Sequence, residues 1–247
     1  MPPENIAAPY DFAAYETLRR HVQSLRGSRR TFCVQHHPTM SFSGSAIEFV
    51  LGEGTHAFVI GSQLVSPLSE HLLAEIYGIL PATPSEREHL PFLFRWEPTR
   101  MTTSSLGEPA QDGDIGIWSR GERAIVARRT YPEPGACGED AAMLVAFLAP
   151  PTDGGGTDEV QLILWVAGLG RMGTLAAARF ATNEDFARQM YPTARDCARV
   201  AVLSVKYTRQ AGTSVDDVES NNIVDVAAVA VPDVPKRRRP DPRPAPT

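Results

Sequence analysis

The chain has 247 residues, of which 43% are hydrophobic and 21% are charged, a composition that is ordinary for a soluble globular protein. No apolar run approaches the roughly 18 residues that a membrane-spanning helix needs, and the first residues lack the features of a secretory signal. We therefore expect a cytoplasmic protein with no membrane partner. The three cysteines are odd in number and far apart, which predicts reduced thiols and argues against a disulfide framework or a zinc knuckle.

The net charge of −5 is unevenly distributed along the chain. Residues 232–247 contain five basic and two acidic side chains, so their net charge is +3 and the rest of the chain carries −8. An acidic body disfavours a nucleic-acid-binding domain, which normally has a basic face. Six prolines and no apolar periodicity predict that this segment is a disordered basic tail. Nucleic acid is therefore disfavoured as a partner except through the tail, which could also contact an acidic protein or simply be solvated.

The predicted elements begin with an amphipathic helix from Asp11 to Gly27, inside an N-terminal unit at residues 1–30. Residues 31–231 are predicted to form a single α/β domain. Its first unit is a strand at 55–60, a turn and a helix at 67–78, followed by a connector at 81–90 and a polar loop at 101–113. Short strands are predicted at 92–96, 115–118 and 124–127.

The second half of the domain repeats the plan of the first unit. The apolar run at 142–148 fits a strand or a buried helix equally. A strand at 160–167, a glycine-rich turn and a helix from 175 follow, and then a helix at 184–191 and strands at 199–207 and 223–231. A continuous apolar strand that leads into a helix is typical of a buried parallel sheet. The sequence therefore predicts an α/β fold, a Rossmann-like three-layer sandwich with a mainly parallel central sheet and an antiparallel edge portion.

The glycine-rich turn matches the dinucleotide-binding fingerprint, because Gly168, Gly170 and Gly173 follow a strand and precede a helix. Such glycines let the backbone approach a pyrophosphate at the helix N-terminus. Only 74 residues follow Gly173, and the next strand ends in Lys206 and Tyr207 where a ribose-binding carboxylate is expected. These features disfavour NAD or FAD. Two interpretations stay open: a different phosphate-bearing ligand, or glycines that only let the following alanines pack against the sheet.

The earlier turn, Gly61-Ser62, has the same place in the first strand–turn–helix unit as the glycine-rich turn has in the second. Ser66 suits a helix N-cap and Pro67 suits the first helical turn, which explains the stretch without any ligand. A Gly-Ser turn beside a helix N-terminus could also bind an anion, although Glu70 would repel one if it pointed inward. Because strands of a parallel sheet end at a common edge, the two turns are expected to lie together. The predicted ligand-binding residues are Gly61, Ser62, Ser66, Gly168, Gly170, Gly173 and Thr174.

The two turns carry a resemblance to a known set of proteins. Phe58 to Ser62 with Ser66 to Glu70, and Val166 to Gly168 with Gly173, Thr174 and the alanines after it, resemble poorly characterised prokaryotic Rossmann-like modules. The resemblance spans roughly residues 50–210. It departs at Ser66, where those modules have asparagine, and around Tyr131 to Pro134, where they have an Asn-Pro pair. The resemblance implies the fold and the pair of turns, and it implies no activity.

No catalytic constellation or metal site is evident, so catalytic residues and cofactors are left unassigned. His36-His37 follows Cys33 closely, but no further ligand lies at a suitable spacing, and a loop is the simpler interpretation. The leading hypothesis is a non-catalytic sensing or regulatory module that recognises a nucleotide-like or anionic small molecule at the glycine turns. The alternatives are a protein-interaction or structural component of a larger bacterial assembly with no ligand, and, last, an NAD-dependent oxidoreductase.

Overall fold

A central sheet and a smaller second sheet organise the chain. The computed structural model describes residues 9–24, 57–61, 67–97, 104–111, 113–149, 161–214 and 221–236, and the structural statements below concern these ranges. The helices are α1 (Pro9–Ser24), α2 (Pro67–Tyr77), a 3-10 helix (Pro84–His89), α3 (Arg171–Ala181) and α4 (Glu184–Met190). The strands are β1 (Ala57–Ile60), β2 (Phe92–Trp96), β3 (Gly107–Pro109), β4 (Gly116–Ser119), β5 (Ala124–Arg128), β6 (Cys137–Ala149), β7 (Gln161–Gly168), β8 (Cys197–Thr208), β9 (Asn222–Ala230) and β10 (Asp233–Pro235).

The topology of the central sheet corrects the predicted fold class. Its strand order is β1-β7-β6-β8-β10, with β9 also paired to β8. Only the β1–β7 pair is parallel, whereas β6, β7, β8, β9 and β10 pair in antiparallel fashion. The second sheet has the order β3-β2-β4-β5 and is also mixed. The prediction of a mainly parallel Rossmann-like sheet is therefore wrong, and the fold is a mixed α/β arrangement.

The error has a physical cause, because a continuous apolar strand reports burial on both faces and not strand direction. Alternate residues of β6 enter two different cores. Met143 and Val145 face a core shared with α2 and the second sheet, while Ala142 and Leu144 face a core shared with α1, α3 and α4. An antiparallel sheet covered on both faces therefore carries the same apolar runs as a parallel one.

Local sequence explains the helix that follows the glycine-rich turn. Helix α3 places three consecutive alanines, Ala176, Ala177 and Ala178, fully inside the core. Small side chains let the helix approach the sheet closely, and its neighbours include β6, β7 and α1. None of the helices in the described ranges is long and apolar enough to span a membrane.

Two short strands fall where the sequence predicted irregular structure. Strand β3 lies inside the stretch predicted as a polar loop and pairs with β2. Strand β10 lies inside the tail that was predicted to be disordered from residue 232, and it pairs with the start of β8. The described part of the chain ends at Lys236, so the rest of the predicted tail lies outside it. Three-residue strands carry too little periodicity to be detected from sequence.

Candidate functional site

The two predicted turns follow neighbouring strands at one edge of the central sheet. Strands β1 and β7 are parallel, with Ile60 opposite Val166, so Gly61 and Gly168 lie at the same end of the pair. The predicted proximity of the turns is therefore correct for these two glycines. Ser62 and Ser66 lie outside the described residues.

The polar backbone groups of Gly61 are used within the fold. Its N–H donates to the carbonyl of Val166 at 3.0 Å. Its carbonyl accepts from Ser69 Oγ at 2.9 Å and from the indole Nε1 of Trp165 at 3.1 Å. The backbone φ of +118° requires glycine at this position. Gly61 thus ties β1 to α2 and to β7.

Thr174 closes the glycine-rich turn on itself. Its hydroxyl accepts from the N–H of Gly168 at 3.0 Å and donates to the carbonyl of Gly170 at 3.2 Å. The Thr174 N–H also donates to the Gly170 carbonyl, at 3.1 Å. The side chain is buried, and the hydroxyl uses both its donor and its acceptor within the turn.

The N-terminus of α3 holds a carboxylate that belongs to the same chain. Asp140, a buried residue of β6, accepts from the N–H of Gly173 at 2.8 Å through Oδ2 and from the N–H of Gly170 at 3.1 Å through Oδ1. Oδ1 also accepts from the N–H of Ala141 at 2.8 Å. Negative charge is favoured at a helix N-terminus, where N–H groups lack partners. Asp140 therefore sits where the fingerprint would place a phosphate.

Close packing accounts for the glycines of the turn. A Cβ on Gly168 would lie 2.3 Å from the backbone nitrogen of Thr174, and one on Gly173 would lie 2.6 Å from the carbonyl oxygen of Ala141. Backbone atoms cannot yield as the end of a flexible side chain can, so both positions exclude any larger residue. The interpretation in which the glycines serve packing is supported by these contacts.

The space beside Gly170 is filled by two charged side chains. A Cβ there would lie 2.6 Å from Oδ2 of Asp140 and 2.7 Å from the guanidinium carbon of Arg129. Arg129 donates to the carbonyl of Leu169 and stacks over the ring of Tyr131, with 4.9 Å from its guanidinium carbon to the ring centroid. The face of the turn that a ligand would approach at Gly170 is therefore occupied.

A small cleft adjoins this arginine, between the glycine-rich turn and the second sheet. Its volume is about 190 Å³, which includes space open to solvent. The indole N–H of Trp96, a residue that is 2% exposed, has no hydrogen-bond acceptor among the described residues. The hydroxyl of Tyr131 donates to Glu97 at the mouth of the cleft. The cleft is lined by Trp96, Glu97, Ile115, Arg129, Tyr131 and Leu169.

We expected Glu70 to repel an anion if it pointed inward. Its side chain is buried and accepts hydrogen bonds from residues outside the two turns. Its Oε1 accepts from the N–H groups of Ala82 at 2.9 Å and Ser105 at 2.8 Å, and from the Ser105 hydroxyl at 2.5 Å. Its Oε2 accepts from the Ser104 hydroxyl at 2.5 Å. Glu70 therefore joins α2 to the segment before β3 and does not face the two turns.

Sequence reasoning missed Asp140 and Arg129, although a signal for Asp140 was present. In β6 the even-numbered residues Ala142 and Leu144 face α3, and the same alternation places residue 140 on that face. An acidic residue that continues the buried face of an apolar strand needs a partner, and the N-terminus of a helix is a suitable one. No comparable pattern marks Arg129, which follows the last residue of β5.

The comparisons with known proteins add no further assignment. No family model matches the chain, and no curated protein and no solved structure is significantly similar to it. Within the described ranges, no group of three or more histidine, cysteine or acidic side chains is placed to hold a metal ion. The candidate histidines at 36 and 37 lie outside those ranges.

Proposed function

We propose that this chain is a non-catalytic protein-interaction or structural component, in which the glycine-rich turn anchors a helix. The observation that carries the proposal is the position of Asp140, whose carboxylate accepts from the N–H groups of Gly170 and Gly173. These are donors that a nucleotide phosphate at this turn would use.

Electrostatics makes it costly for an anion to replace this carboxylate. A phosphate beside α3 would meet the negative charge of Asp140 in a buried setting, where repulsion is poorly screened. Moving the carboxylate aside would leave a buried charge without its hydrogen bonds, which costs several kcal/mol. These costs favour the interaction component over a sensor of nucleotides at the same turn.

Strand β9 supplies a surface that suits a protein partner. Asp225 is the only charged residue of β9, and Val224 and Val229 are 60% and 42% exposed. Both valines fall at irregularities in the pairing with β8, so they stand outside its regular register. Bulges deter further strand pairing, and we therefore expect a partner to contact the valine side chains and not to extend the sheet.

A small-molecule function is the second candidate, favoured by the cleft and by the unpaired indole N–H of Trp96, a residue that lines it. Sites for drug-sized ligands usually measure about 300–1,000 Å³. The cleft, at about 190 Å³ including space open to solvent, is smaller than such sites and suits a small acceptor group. A nucleotide would need the cleft to widen considerably.

A thermal-shift screen separates the two candidates. NAD, ATP, cyclic nucleotides, ADP-ribose and phosphate would be tested against the wild-type chain, in which a ligand at one hundred times its dissociation constant adds about 2.7 kcal/mol of stability. The proposal expects no stabilisation. Stabilisation by any of them that is lost in a folded Gly170→Ala variant would contradict the proposal.

A second experiment tests whether the exposed valines of strand β9 contact a protein partner. The double variant Val224→Lys/Val229→Lys places two positive charges on the exposed valines. A partner purified with the wild-type chain should lose at least tenfold in affinity for this variant. The control is Glu122→Lys, an exposed position in the turn between β4 and β5 that changes the net charge by the same amount. Equal losses in both variants would contradict a role for β9.

A further inference from the structure

The cleft between the glycine-rich turn and the second sheet has a hydrogen-bond donor and an acceptor among its lining residues. Trp96, the last residue of β2, contributes an indole N–H, which can only donate. Glu97 follows it in the chain and contributes a carboxylate, which accepts. Ile115 and Leu169 supply apolar wall. A ligand that carries one acceptor, one donor and a small apolar part would therefore match the cleft.

The indole N–H of Trp96 is a buried donor that finds no acceptor among the described residues. A Cβ on Gly107 would lie 2.3 Å from Cζ3 and 2.6 Å from Cη2 of Trp96, so β3 covers the benzene edge of the indole. Nε1 belongs to the other ring and lies away from that edge. A buried donor without an acceptor is destabilising, so an acceptor supplied from outside the described residues would be favoured at this N–H.

The charges at the cleft disfavour an anionic ligand. Its two charged lining residues, Glu97 and Arg129, have opposite signs. Asp140 adds a second carboxylate beside Arg129, because a Cβ on Gly170 would lie 2.6 Å from Oδ2 of Asp140 and 2.7 Å from the guanidinium carbon. A carboxylate or phosphate would therefore meet repulsion that is weakly screened in a partly buried place. A neutral acceptor avoids this repulsion.

We propose that the cleft binds the primary amide of a small neutral ligand, whose carbonyl accepts from Nε1 of Trp96 and whose NH₂ group donates to Glu97. Glu97 can accept this bond as well as the one from the Tyr131 hydroxyl, since a carboxylate has about four acceptor positions. The volume of about 190 Å³, which includes space open to solvent, limits the apolar part to a short alkyl group. The site uses no residue of β9, so its test is independent of the protein-interaction proposal.

An NMR titration of the full chain with propionamide tests the proposal, because nitrogen–proton correlation spectra report the indole N–H of each of the three tryptophans. Propionamide should shift the Trp96 signal saturably, with a dissociation constant of about 1–10 mM for a ligand of this size. The signal of Trp165 is the internal control and should not shift, because its N–H donates to the carbonyl of Gly61 at 3.1 Å. Propionate has the same shape and a negative charge, and it should bind at least about tenfold more weakly.

A pair of variants tests the acceptor. Glu97→Ala should weaken propionamide binding about tenfold, since hydrogen bonds to charged groups are among the stronger ones. Glu122→Ala, which removes an exposed carboxylate between β4 and β5, should leave the affinity unchanged. The proposal is overturned if the Trp96 signal does not shift, or if the Trp165 signal shifts as much. It is also overturned if the two variants bind alike, or if propionate binds as tightly as propionamide, which would identify an anion site.

Discussion

Asp140 and Glu70 are both buried carboxylates that hold turns in place, yet their hydrogen-bond donors differ. Asp140 accepts from the backbone N–H groups of Ala141, Gly170 and Gly173. Glu70 accepts from two backbone N–H groups and also from the hydroxyls of Ser104 and Ser105. A hydroxyl can rotate and become an acceptor, whereas a backbone N–H can only donate. The site at Asp140 therefore demands a carboxylate, and the site at Glu70 only prefers one.

The largest effect should come from Asp140→Ala. This change leaves buried N–H groups of Gly170 and Gly173 without acceptors, each at a cost of about 1–3 kcal/mol, so we expect a loss of about 3–5 kcal/mol in the free energy of unfolding. Urea denaturation measures it. Asp114→Ala, which removes only an exposed ion pair with Arg128, should cost less than about 1 kcal/mol. A loss below about 1 kcal/mol in Asp140→Ala would show that the turn does not depend on this carboxylate.

Gly168→Ala should be nearly as damaging. The added Cβ meets the backbone nitrogen of Thr174 at 2.3 Å, and overpacking costs about 1–3 kcal/mol, with the upper end expected against atoms that cannot move. Gly121→Ala is the matched control, because its nearest atom, Ser119 Oγ, is 3.9 Å away. Chemical denaturation of both variants should show a change of less than about 1 kcal/mol for the control. Equal stability of the two variants would mean that the turn can relax.

The pair Asp140→Asn and Glu70→Gln tests the comparison directly. Both oxygens of Asp140 face N–H groups, so one end of an asparagine amide must point its own N–H₂ at a donor, at a cost of about 2–3 kcal/mol. A glutamine amide at position 70 can donate to the Ser104 hydroxyl, and about 1 kcal/mol is expected. Thermal unfolding under one buffer condition ranks the two. The comparison fails if Glu70→Gln is the more destabilising change.

The smallest effect is expected for Ser105→Ala. This change removes one of four hydrogen bonds that Glu70 accepts and should cost about 1 kcal/mol. In the double variant with Glu70→Gln the losses should not add, because both residues belong to one network. A double-mutant cycle by urea denaturation measures the coupling. Strict additivity would show that the hydroxyl contributes nothing through Glu70.

Part of the architecture follows from local patterns. Strand β2 has the bounds predicted for it, residues 92–96, and α2 and β7 lie within one residue of their predicted bounds. The run at 142–148, which fitted a strand or a buried helix, lies inside the 13-residue strand β6. The neighbouring strands favour a strand over a helix here, because pairing with β7 and β8 on both sides gives the backbone groups their partners.

The sequence located the glycine-rich turn, but it did not identify Asp140 as the group that accepts hydrogen bonds from it. The spacing of Gly168, Gly170 and Gly173 marks the junction between a strand and a helix, but the helix begins at Arg171 and not at 175 as predicted, so Gly173 lies in its first turn. The same spacing serves a bound phosphate or a buried carboxylate, since both need close backbone approach at a helix N-terminus. Asp140 lies 33 residues before Gly173, and no local pattern joins them.

By itself, the sequence determined where most of the longer strands and helices form, which runs are buried and where the backbone must turn tightly. These properties depend on residues close together in the chain, through side-chain periodicity and the conformational freedom of glycine. The tertiary structure alone decided strand direction and the partner of the α3 N-terminus, because both depend on which distant segments meet. The antiparallel pairing of β6 with β7 and β8 brings Asp140 to the turn, and our proposal that the turn anchors a helix is based on that contact.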